Sequence, residues 1–85
     1  MNTINTQIDF LLRKPQVLEA CGASWSTVHR RIRMGTWTPP IKEGAVVVWP
    51  ASEVAALNAA RIAGKGEEEI RSLVAELVRR RKEVA

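Results

Sequence analysis

Apolar residues in this chain fall in short groups, divided by glycine and proline, and each group keeps its own period. Val17, Leu18 and Cys21 share a helical spacing between Pro15 and Gly22. Proline suits a first helical turn and glycine the position just past the last. The pattern therefore predicts a helix from Pro15 to Cys21, with Gln16 and Glu19 outward. Ser24 has the chemistry of an N-cap for a second helix, and Ala23 can staple onto Val28. Val28 and Ile32, four apart, share one face. Trp25, Ser26, His29, Arg30 and Arg33 fill the other. Gly35 supplies the left-handed stop. The result is helix, glycine turn, helix, the second helix having a narrow apolar seam under a face rich in donors. That is what the second helix of a helix-turn-helix requires.

Upstream, Phe10, Leu11 and Leu12 read as a strand or an extended lead-in to the core, and Met1–Asp9 as a flexible polar arm. Downstream, Pro39-Pro40 forces an extended path, and Trp37 is expected to close the core. Ile41-Lys42, a Glu43-Gly44 turn and the β-branched run Ala45–Trp49 predict a hairpin. A hairpin directly after a recognition helix is a wing. Pro50 opens a helix to Ala63, with Trp49, Val54 and Leu57 facing the first two helices. Gly64-Lys65-Gly66 marks a hinge.

Glu67–Ala85 is predicted as one further helix, acids leading and bases trailing as the helix dipole favours. Glu67–Arg71 and Glu76–Arg80 form well-oriented pairs, each worth about 0.2–0.5 kcal/mol. Ile70, Leu73, Val74, Leu77 and Val78 make one stripe that must be covered. Spacing leaves open whether the cover is this chain or a second copy, so Ile70, Leu73 and Leu77 are the candidate self-association residues. The expected architecture is mainly α with a small β-hairpin: an arm over 1–9, a winged helix-turn-helix over 10–63, and a hinge with an additional C-terminal amphipathic helix over 64–85.

Charge sharpens this picture. The 85 residues carry a formal net charge of +4. Between Ala20 and Lys42 there is no Asp or Glu, against Arg30, Arg31, Arg33 and Lys42, whereas Pro50–Ala85 is nearly balanced. A one-signed stretch beside a mixed one is the footprint of a polyanion site, here double-stranded DNA. The single cysteine, Cys21, excludes an internal disulfide and reads as a small core residue. With no run long enough for a bilayer and no signal-peptide pattern, a cytoplasmic protein is expected. An enzyme is not expected: the inventory has no glycine-rich phosphate loop, metal-ligand cluster or nucleophile–base pair, and His29 stands alone. No cofactor is expected either.

Arg30 is the first candidate for DNA contact, bidentate to guanine or on phosphate. Ser26 and Thr27, at a helix N-terminus, suit a phosphate or base edge. His29 is a donor to either. Trp25 reads equally as a cover for a thymine methyl or sugar and as core. Arg33 and Arg31 read as phosphate ligands or as solvated charges, with Arg33 the better placed, and Lys42 on the wing is expected to meet the backbone or the minor groove.

The segment FLLRKPQVLEACGASWSTVHRRIRMGTWTPPIKEGAVVVWPASEV resembles the AlpA family of phage and prophage regulators, small winged helix-turn-helix proteins close to excisionase and MerR-type DNA-binding domains. Gly22, Ser24, Ser26, Thr27, Val28, Arg30, Gly35, Trp37, Ile41, Gly44, Trp49, Ser52, Glu53 and Val54 stand in matching places over about Phe10 to Leu57. Departures are Trp25 for the common Arg, His29 for the common Tyr, the adjacent Pro39-Pro40, and a wing one residue short that lacks the Arg often found near its tip. The resemblance implies a nucleoid-associated, bacterial or phage-encoded regulator of prophage transcription, a recombination directionality factor helping an integrase, or both. Cooperative loading on repeated sites is the expected assembly. The alternative is a small adaptor whose C-terminal helix docks on an integrase or another regulator.

Overall fold

The computed structural model describes residues 8–83, so most of the expected arm and the last two residues lie outside the described part. In chain order the elements are β1 (Leu11–Arg13), α1 (Lys14–Cys21), α2 (Trp25–Met34), β2 (Ile41–Glu43), β3 (Val46–Pro50), α3 (Ala51–Ile62) and α4 (Glu67–Arg81). The protein is mainly helical, with a small antiparallel sheet in the order β1-β3-β2.

The local signals act where the sequence puts them. In α1 the Gln16 side chain accepts from the Arg13 N–H at 2.9 Å, satisfying one donor at the helix start. Ser24 caps α2 by accepting from the Thr27 N–H at 3.3 Å. Gly35 ends α2 at φ +81°, where any other residue would be strained. Its N–H and that of Thr36 return to the carbonyls of Ile32 and Arg31, at 3.1 and 2.8 Å, so the last turn of α2 leaves few free acceptors.

Three expectations are decided or corrected. First, of the two readings of the lead-in the strand is the one that forms: Leu11, Leu12 and Arg13 pair with Pro50, Trp49 and Val48. Only Leu12 among the apolar run is half-buried, while Phe10 is 67% and Leu11 52% exposed. Secondly, the hairpin turn is Gly44-Ala45, one residue later than expected, because Glu43 remains paired with Val46. Gly44 takes φ +62° and no non-glycine residue described has positive φ. This is the pattern of a turn with glycine at its first central position. Thirdly, the arm is anchored by its last residue. The Asp9 carboxylate accepts from the Ser52 N–H at 2.9 Å and from the Ser52 hydroxyl at 2.6 Å, capping α3 from 43 residues away.

One core serves all four helices. Trp37, Trp49, Leu57, Val17 and Val28 are at its centre, with Val54, Ile70, Val74 and Leu77 completing it. Each such aliphatic side chain contributes about 1.5–3 kcal/mol on burial. Trp37 and Trp49 are core, as expected, and the Trp49 indole N–H donates to the Thr38 carbonyl at 2.9 Å. Cys21 and Leu18 pack against this core half-buried.

The stripe of α4 is therefore covered by its own chain. Ile70 and Leu77, expected as self-association residues, are buried in the core, and Leu73 is half-buried against it. This corrects the assignment of Ile70 and Leu77, since a side chain already removed from water has little apolar area left for a second copy, whereas Leu73 keeps part of its surface. Gly64-Lys65-Gly66 breaks the helix as a turn: the Lys65 and Gly64 N–H groups return to Ala60 and Arg61 carbonyls at 3.0 and 3.1 Å. At its far end α4 is held by Arg81, whose guanidinium makes two 2.7 Å bonds to buried Glu53 and a 2.8 Å bond to the Pro39 carbonyl. Arg71 donates to the Met34 carbonyl at 2.9 Å, tying α4 to the end of α2.

Candidate nucleic-acid interface

The site grows from α2. Val28 is fully buried and Ile32 packs against the core, so the helix is seated along one seam. Rotation by the helical period then turns Ser26, His29, Arg30 and Arg33 outward, and all four are exposed. Among the described residues none of these four side chains has a recorded hydrogen bond or ion pair. Their donors are free for a ligand.

Trp25 and Thr27 stand apart. Trp25 is half-buried. Its ring meets Trp49 edge-on at 6.2 Å and His29 at 5.4 Å with a 45° tilt. The core reading of Trp25 holds in part: one side of its ring rests on the core, and the ring also lies beside His29. Thr27 is also half-buried, and its hydroxyl accepts from Ser24 at 3.2 Å, which makes it part of the helix cap. The sequence missed Lys14. It heads α1, and its Nζ sits 4.3 Å from the centre of the Trp25 ring, a cation–π contact that adds a positive charge beside His29. No sequence signal marks that pair, because the contact depends on how α1 crosses α2.

Lys42 is exposed on β2 and pairs with Val47. Side chains alternate along a strand, so Lys42 and Val47 share a sheet face with Trp49, the residue that touches Trp25. The hairpin lysine and α2 thus lie on one side of the sheet. Arg13 pairs with Val48 and belongs to the other face. The arrangement can bind a polyanion: exposed cations and neutral donors on a rigid helix, a lysine to one side, and no carboxylate on α2 to repel phosphate. No helix among the described residues is long and apolar enough to cross a membrane.

No family model matches the chain, and no solved structure matches it. The chain is similar to Uncharacterized protein ORF88 of Enterobacteria phage P4, at 46% identity over 55 residues. The match takes in 64% of this chain and spans 62% of the length of that relative, which places a phage protein among its relatives.

Proposed function

We propose that this protein binds double-stranded DNA sequence-specifically as a winged helix-turn-helix of the AlpA type, with α2 in the major groove and the β2–β3 hairpin as the wing. The observation that carries this is the exposed, carboxylate-free face of α2, bearing Ser26, His29, Arg30 and Arg33 on a helix fixed along its other side by Val28. Arg30 reads a base edge or holds a phosphate; Arg33 and Lys42 hold backbone on either side. Ser26 adds a donor at the N-terminal turn, where free N–H groups favour an anion. Similarity to a phage protein supports a phage or prophage origin; a role in phage or prophage transcription, with excision alongside an integrase as a related activity, is what the AlpA resemblance implies.

Few phosphate contacts are available to one domain of this size, so binding near physiological salt is weak for a single copy. Tight binding then comes from several copies on repeated sites. Selection from random duplex DNA tests the reading, with Arg30→Ala in parallel. The expected outcome is a set of enriched sequences that disappears in the variant. A folded protein that enriches nothing at low salt contradicts it.

A further inference from the structure

Behind the exposed face of α2, a cleft of about 330 Å³ opens between the end of that helix, the end of α3 and the start of α4. Arg30, Arg31, Arg61 and Lys65 line it, with Thr36 and Glu67 and an apolar floor of Met34 and Ile70. Four cations therefore face one carboxylate. Glu67 is already turned to Arg71 at 3.4 Å, and Lys65 has only a 4.0 Å contact with exposed Glu69. Among the described residues no carboxylate lies within ion-pair distance of Arg30, Arg31 or Arg61. The Arg31 Nη1 is buried without a hydrogen-bond partner. Leaving a donor of a charged group in that condition is costly. Burial, and then the Arg61 charge, lower the affinity of the Arg31 guanidinium for its proton; Arg30 adds to this and the Cys21 thiol opposes it.

Such a cluster does not stabilise the fold: like charges are gathered and a donor is unused. A bound anion would reverse both effects. Guanidinium forks match the oxygens of a phosphate group in number and geometry. We propose that this cleft is a phosphate-binding site, formed by Arg31 and Arg61 with Arg30 and Lys65 at its mouth. Arg30 belongs both to the cleft and to the exposed face of α2, so the two surfaces are continuous. Resting on the DNA reading above, the occupant is a backbone phosphate flanking the segment read by α2. Free phosphate is the other source of the same chemistry.

The test has two arms, both on the full chain with Arg61→Gln beside the wild type. Arg61 is exposed, so its loss leaves the core intact, which thermal melting checks. In the first arm inorganic phosphate is titrated against the protein by amide NMR, ionic strength being held with chloride. Saturable shifts at Arg31, Thr36, Arg61 and Lys65 are expected, with binding weakened about tenfold in Arg61→Gln, as the loss of one charge-assisted contact implies. In the second arm duplex affinity is measured against salt, and the log–log slope is expected to fall by about one in the variant. A fall in slope identifies backbone phosphate. Phosphate binding that needs Arg61, with an unchanged slope or with no duplex binding at all, identifies the free anion; in the last case the DNA reading fails while the cleft stands. Phosphate shifts that are absent or indifferent to Arg61, together with an unchanged slope in a protein that binds duplex, overturn the site and leave the DNA reading intact.

Discussion

Arg30, Arg31 and Arg33 on α2 and Arg71, Arg79, Arg80 and Arg81 on α4 are the two arginine clusters of this protein, and both stand on amphipathic helices seated in the same core. On α4 every one is engaged. Arg79 and Arg80 bond Glu76 at 2.6 and 3.0 Å, and Arg79 also bonds Glu83. Arg71 bridges Glu68 and the Met34 carbonyl, and Arg81 holds Glu53. On α2 there is no acid within the helix, and the neighbouring elements offer none to it within ion-pair distance among the described residues. The difference is set by where the acids are. A basic run that carries its own carboxylates is spent on the fold, while one without them remains available to an external anion. Counting arginines would have treated the two helices alike.

Removing one partner on each helix separates the two uses. The largest effect is expected from Arg81→Ala, which leaves the Glu53 carboxylate buried and unpaired. Loss of about 3 kcal/mol follows, the low end for a broken buried pair because the Arg81 side chain is 20% exposed. Urea denaturation measures it, and duplex affinity per folded molecule is expected to hold. Arg30→Ala should do the reverse. Duplex discrimination falls by about 1–3 kcal/mol with an unchanged midpoint of unfolding.

Two smaller changes probe how each helix is supported. Asp9→Ala removes the cap that reaches α3 from outside it, costing about 1 kcal/mol in the same denaturation experiment. On α4, hydrogen bonds first from Arg79 and then from Arg80 hold the Glu76 carboxyl below its ordinary value. Its folded-state value is thus depressed. The stabilisation is present above the unfolded carboxylate value and lost as pH falls through the folded one. Glu76→Gln is expected to lower the melting temperature slightly at neutral pH and not at strongly acidic pH, and added salt should shrink the difference, since these groups are exposed.

How much of this could be read in advance depended on distance along the chain. The Ser24 cap and the Gly35 stop involve partners three to four residues away, and both were legible. So were the outward positions of Ser26, His29, Arg30 and Arg33, which follow from the helical period once Val28 faces inward. The stripe on α4 was legible as a stripe, but what covers it was not, because its cover is the shared core of all four helices, brought together by tertiary packing. Asp9 with Ser52 and Arg81 with Glu53 are separated by 43 and 28 residues, and no local pattern marks either pair. Lys14 escaped for the same reason. Thr27 was legible as polar and N-terminal, yet competition with the Ser24 cap decides what its hydroxyl does.

Amide NMR of the labelled protein, titrated with a duplex recovered by selection, tests most directly the claim that α2 is the free arginine helix and α4 the spent one. The account expects the largest shifts on Trp25–Arg33 and at Lys42, with Arg79–Lys82 unmoved. Shifts centred on Arg79–Lys82, with α2 silent, would contradict it.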